Sequence, residues 1–263
     1  MEMRHRPLLA AVGVAVAVLM IAGLAFLSAR PAPDERQVQE AASAPPTTPA
    51  ASPVPAVSEP PAPQPVPEEE RDPALEAFLL GLARRDSDDT TAVGPVDAPI
   101  VMIEWADFRC PYCSAFAEVT LPQLRHHFDE GTVRYEFRDL ALFGEESVYA
   151  AVAARAAGEQ GKHHEFMNVL YAALPNDGHP VVDKDVVTEV AMQIGVPDMA
   201  KFDADLESLE LRNAVLTDTN EARSMGLSSV PVFVVGTQVI QGAQPPQVFE
   251  QVIQQELAKA SNR

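Results

Sequence analysis

"IVMIEWADFRCPYCSAF", residues 100–116, begins as an apolar run rich in Ile, Val and aromatic residues and then changes to helical spacing. The apolar part reads as a buried strand, and it delivers the chain directly into Cys110. Cys110 and Cys113 are the only cysteines among 263 residues, with Pro111 and Tyr112 between them. Closing so short a loop removes only roughly 2 kcal/mol of unfolded-chain entropy. A structural staple is therefore a poor reason for the pair. Half of a metal site and a reversible dithiol remain.

From Cys110 to Phe128 the spacing is helical, with Phe116, Val119, Leu124 and Phe128 near one side and a kink expected at Pro122. A sulfur at the junction of strand and helix faces unpaired backbone N–H groups and the positive end of the helix dipole. Both favour thiolate, the species that attacks a disulfide or leaves from one. Pro111 suits the first helical turn, where its missing N–H would have had no partner. Cys113 lies one turn further in, close enough to bridge. Such a site needs an exposed sulfur to meet substrate, Cys110, and a shielded one to resolve, Cys113.

Glu104 interrupts the apolar run six positions before Cys110. A carboxyl buried there would have a raised pKa and could hold a proton, which makes it a proton relay for Cys113. The alternative is a solvated Glu at a strand edge. Asp107 and Arg109 flank the pair; Trp105 and Phe108 read as packing. Structural zinc requires four ligands, and no second CxxC is present. The pairs His126–His127 and His163–His164 read as solvated helix surface, each pair pointing its members apart, so no metal is expected.

Further out, Pro73–Arg85 reads as a short amphipathic helix and "TVRYEF", 132–137, as a second strand. An Ala-rich helical block runs from 145 to about 225, with breaks at Pro175–Pro180 and near Pro197. "VPVFVVGTQVIQG", 230–242, reads as a hairpin turning at Gly236–Thr237, and residues 245–260 as a last helix opened by proline. An open mixed α/β sheet covered by helices accommodates this order.

The amino-terminal third is different material. After a short tip, residues 1–6, no ionisable side chain occurs from Pro7 to Ala29. As a helix these residues span roughly 34 Å, enough to cross a bilayer core. Arg4 and Arg6 precede the run, which keeps the amino terminus inside and the rest outside. A cleaved signal peptide competes, but its apolar region is shorter. Thirteen of the 24 prolines fall between Pro31 and Pro73, so residues 30–72 read as a disordered Pro/Ala-rich linker. The remainder, 73–263, is one domain. A net charge of −19 argues against nucleic acid as a partner.

Taken together, "IVMIEWADFRCPYCSAF" and, about 120 residues later, "SSVPVFVVGTQVIQGAQP" (228–245) resemble the DsbA-like thiol–disulfide oxidoreductases of the thioredoxin superfamily. The likeness is to the membrane-anchored bacterial branch with a Cys-Pro-Tyr-Cys centre. The resemblance covers roughly 90–260 and implies a thioredoxin fold with a helical insertion. It also implies a cis proline beside the dithiol, which falls on Pro231. Read from the residues alone, Pro231 is a trans proline opening a strand. A cis bond would turn the Val230 backbone toward the sulfurs, where it can pair with an extended peptide. With Pro111 and Tyr112, Val230 and Pro231 then form the substrate-binding set.

The function implied is an extracytoplasmic, membrane-tethered enzyme that donates its Cys110–Cys113 disulfide to reduced exported polypeptides. A membrane partner of the DsbB or VKOR type would reoxidise it. No cofactor is called for. The rivals are a reductase or isomerase on the same scaffold and a peptide-binding holdase whose cysteines are incidental.

Overall fold

The computed structural model describes residues 72–261. The expected tip, membrane anchor and linker lie outside the described residues, except for Asp72. Among the described residues no helix is long and apolar enough to cross a membrane. Asp72 accepts the Ala74 N–H at 2.8 Å and opens helix α1 (Pro73–Gly81), with proline in its first turn. The helical pattern continues to Arg85, but the helix stops at Gly81. Beyond it the backbone N–H groups of Arg84 and Arg85 donate to the Glu136 carboxylate at 3.1 and 2.9 Å. An anion buried in the sheet competes successfully for those donors.

The sheet contains β1 (Ala92–Val93), β2 (Ile100–Ala106), β3 (Val133–Asp139), β4 (Val232–Val235) and β5 (Gln238–Gln241). Their order is β1-β3-β2-β4-β5; β2 and β3 are parallel and every other pair is antiparallel. All seven residues of β2 are buried, as its unbroken apolar run requires. Ile100, Met102 and Ala106 enter the larger core, whereas Val101, Ile103 and Trp105 pack on the opposite face with Leu79, Ala222, Val232 and Val234. By the period of two, the Glu104 side chain belongs with the larger core.

The alternation of "TVRYEF" persists in β3, yet neither face is wet. Tyr135 and Phe137 join the larger core. On the other face Glu136 pairs with Arg134 at 3.2 Å and Arg138 at 2.9 Å. Mutual pairing makes burial of those charges tolerable.

Parallel strands need a crossover. Here it comprises α2 (Pro111–Ala115), a π-helical turn (Phe116–Thr120) and α3 (Leu121–Asp129). Pro122 has no N–H to offer the turn before it, and the Leu121 N–H reaches back five residues to the Phe116 carbonyl. The kink expected at Pro122 is thus taken up as a π-bulge. It keeps the ring of Phe116 4.4 Å from that of Phe233 in β4 and 5.2 Å from that of Phe249. This aromatic cluster fastens the dithiol's helix to the sheet and to α9 (Pro246–Ala260).

Between β3 and β4 lie α4 (Glu145–Gly158), α5 (His163–Ala173), α6 (Lys184–Gln193), α7 (Met199–Asp205) and α8 (Leu209–Ser224). Small residues on α4, among them Ala150, Ala153, Ala154 and Ala157, are fully covered and admit α5 and α8 at close range. At the β4–β5 turn Gly236 has φ 57°. A Cβ there would strike the Glu256 carboxylate, which accepts the Thr237 N–H at 2.9 Å.

Candidate active site

The carboxyl end of β2 places Cys110 as the residue that caps α2, with extended backbone angles (φ −90°, ψ 120°) and no side-chain cap of its own. Both cysteines are free thiols. Cys110 keeps 4 % of its surface and Cys113 none. Cys110, expected to be the exposed sulfur, is therefore less exposed than the sequence suggests, because the segment leading to β4 closes over it. There the Val230–Pro231 bond is cis, and the Cys110 S–H donates to the Val230 carbonyl at 3.7 Å.

The two thiols are driven apart electrostatically. The S–H of Cys113, donated to Cys110, lowers the Cys110 pKa to about 7, assisted by the backbone N–H groups of Cys113 and Tyr112 and opposed by burial and Asp107. Burial raises Cys113 well above the ordinary thiol value, and Cys110 and Glu104 raise it further. At neutral pH the charge at this pair therefore resides on Cys110.

Glu104 is buried, not solvated at a strand edge. It lies in β2 between Phe137 of β3 and Phe233 of β4 and accepts a hydrogen bond from the Tyr135 hydroxyl. Burial raises its pKa to about 8, opposed by Tyr135 and reinforced by Cys110. Glu104 thus holds a proton at neutral pH, in electrostatic contact with both cysteines. The sequence gives no sign of Tyr135 as its partner, since the strand register had first to be known.

Asp107 and Arg109 do more than flank the pair. The Asp107 carboxylate accepts backbone N–H groups from Arg109 at 2.8 Å and Leu142 at 2.7 Å. The Arg109 guanidinium donates to the carbonyls of Pro180, Phe143 and His179 at 2.6, 2.6 and 2.8 Å and pairs with Glu146 at 2.6 Å. The turn entering the dithiol is thereby tied to the first helix of the insertion and to the loop before α6. Phe108 and Trp105 are buried, as packing residues should be. Tyr112 is 66 % exposed beside the pair, and Pro111 occupies the first turn of α2.

The histidines depart from expectation. His163 is buried against the rings of Phe137 and Phe108, and the His164 ring nitrogen lies 3.0 Å from the Thr91 carbonyl. Burial lowers His163 well below its ordinary value and His164 to about 4, so both are neutral. These two are packing residues because α5 lies against β3. His126 and His127 do not point apart: their rings lie 4.0 Å from each other.

A strand that delivers a CxxC pair to a helix start, opposite a cis-proline segment, defines a thioredoxin-type dithiol site. The family described as Thioredoxin matches residues 86–255. Among curated relatives, the "Probable disulfide bond formation protein D" of Bacillus cereus is 27 % identical over 150 residues, 55 % of this chain and 69 % of that protein. The "Disulfide bond formation protein D" of Bacillus subtilis is 24 % identical over 170 residues, 63 % and 76 % of the two chains. The crystal structure of oxidised BdbD from Bacillus subtilis superposes with a TM-score of 0.59 at 21 % identity, covering 64 % of this chain and 92 % of that one. The chain belongs to the thioredoxin family and is a DsbA-like thiol–disulfide oxidoreductase.

Burial of Glu104 has a measurable signature. An acid whose folded pKa is raised from 4.5 to about 8 takes up a proton on folding. Its cost to stability is absent below the unfolded pKa and grows as pH rises between those values. Glu104→Gln preserves an acceptor for Tyr135 and removes the cost. The reduced variant should therefore be more stable than wild type at pH 7, by on the order of 3 kcal/mol, and should converge with it in acid. Denaturant titration across pH checks this; a stability difference independent of pH contradicts a buried, protonated Glu104.

Proposed function

We infer that this enzyme works outside the cytoplasm as a membrane-tethered oxidant, donating its Cys110–Cys113 disulfide to reduced exported polypeptides. The observation that carries this reading is the asymmetry of the pair: a stabilised thiolate at Cys110 backed by a buried, protonated thiol at Cys113. A substrate thiolate attacks Cys110 in the disulfide, and Cys113 departs, taking a proton that Glu104 is placed to supply. A second substrate thiolate then attacks the substrate sulfur of the mixed disulfide, and Cys110 departs as the thiolate. The substrate has lost two electrons to the enzyme and, as its thiols ionised, two protons to solvent; the enzyme holds the electrons as the Cys110 thiolate and the Cys113 thiol, and Glu104 regains its proton from solvent.

The exposed Tyr112 ring, Pro111 and the Val230–Pro231 backbone supply the docking surface. Both exchanges in reverse restore the disulfide: the Cys110 thiolate attacks the disulfide of a membrane partner of the DsbB or VKOR type, and Cys113 then attacks Cys110 and releases the partner as its dithiol. Residues 7–29 serve as the anchor and 30–72 as the spacer; the uncharged run, the preceding arginines and the proline content support this.

A second reading, the reductase, has one observation in its favour. A Cys110 pKa of about 7 matches the reducing thioredoxin, about 7, more closely than DsbA, about 3.5. The names of the Bacillus relatives favour oxidation. Equilibration with glutathione decides between them. The oxidant should lie closer to about −120 mV than to about −270 mV, and a value at the reducing end makes the enzyme a reductase. For the location, protease added to intact cells should release a fragment cut within residues 31–72. A fully protected domain in cells shown to admit the protease places it inside.

A further inference from the structure

The last turn of helix α3 carries His126 and His127, and both side chains meet Glu250 of α9. The three residues each bring a ligand atom to within 4.8 Å of the others. His127 Nε2 lies 2.9 Å from Glu250 Oε2, and His126 Nε2 lies 3.7 Å from Oε1.

The opposite edge of each ring decides what those nitrogens are. His126 Nδ1 faces the Gln123 carbonyl at 2.9 Å. A carbonyl has no proton to give, so Nδ1 carries the ring proton. His127 Nδ1 faces Thr132 Oγ1 at 3.1 Å. The Thr132 hydroxyl donates its own proton to the His127 carbonyl at 3.1 Å, so Oγ1 accepts and Nδ1 again carries the proton. Each ring therefore turns Nε2, its second nitrogen and a possible metal ligand, toward Glu250. Both Nε2 atoms and the Glu250 carboxylate converge on one point, where His127 Nε2 and the carboxylate already pair. A divalent ion can replace that pairing, taking both Nε2 atoms and a carboxylate oxygen as ligands. Nδ1–H held by a carbonyl or hydroxyl oxygen is also how metal-binding imidazoles are oriented by their surroundings.

We propose that His126, His127 and Glu250 form a binding site for a divalent first-row transition ion, Zn²⁺ being the best match. Two imidazoles and one carboxylate suit zinc, and they do not suit Ca²⁺ or Mg²⁺, which take oxygen donors. Bonds of about 2.0–2.1 Å in a tetrahedron set ligand atoms roughly 3.3 Å apart; the three ligand atoms here lie within 4.8 Å of one another, so small side-chain rotations close the site. The side chains of His126 and Glu250 are 49 % and 30 % exposed, and that of His127 is 10 %. Solvent thus reaches the site and can fill a fourth position. The ion joins α3 to α9 at the far end of the helical crossover that Cys110 opens, roughly 24 Å along its axis.

Thiols also bind zinc, so the test uses the full chain, solubilised in detergent, with the Cys110–Cys113 disulfide closed. Calorimetric titration with Zn²⁺ should find a site that Ca²⁺ does not compete for. His126→Ala and Glu250→Gln should each weaken it about tenfold or more. Both positions reach solvent, and circular dichroism of each variant verifies its fold. Equal zinc affinity in wild type and both variants would overturn the site, as would displacement by Ca²⁺. Absence of uptake by wild type would overturn it equally, leaving an imidazolium–carboxylate pair at this position.

Discussion

The dithiol depends on the expense of burying negative charge. Glu104 and Cys113 lie in the apolar layer beneath the helix start, and burial raises the pKa of each. Cys110 alone sits where hydrogen-bond donors converge, and its pKa falls to about 7. One negative charge at the helix start is therefore the state this site supports near neutral pH. Two buried protons lie behind it. Thiol–disulfide exchange needs this division, because one sulfur must leave as an anion while the other is protonated as it is released.

The rest of the fold keeps that arrangement in place. Central strand β2 carries Glu104 and ends just before the turn to Cys110. Phe116, Phe233 and Phe249 hold the helix to the sheet and to α9 from below. From the side, Asp107 and Arg109 bind the turn to the helical insertion through backbone groups of Leu142, Phe143, His179 and Pro180. The insertion is thus hydrogen-bonded to the residue directly before Cys110.

Local pattern made much of this legible. The apolar run ending in Cys110 foretells a buried strand feeding a helix, and the Gly236–Thr237 signal foretells the hairpin. Both depend on residues adjacent in sequence. Tyr135 over Glu104, Arg109 on the Pro180 loop and His127 on Glu250 were not legible. Each joins residues at least 31 positions apart, and only strand register or helix packing brings them together. The burial of Arg134, Glu136 and Arg138 was not legible for the same reason: it rests on their mutual pairing and on the Arg84–Arg85 turn. His163 and His164 resemble a polar helix face, yet α5 packs them against aromatic rings of the sheet.

The division of charge between the two sulfurs is most directly tested by alkylation of the reduced protein from about pH 5 to about pH 9, with mass spectrometry locating the label. The account predicts modification at Cys110, with a rate that reaches half its plateau near pH 7, while Cys113 remains unlabelled. Half-plateau near the ordinary thiol value of about 8.5, or label appearing first on Cys113, would contradict it.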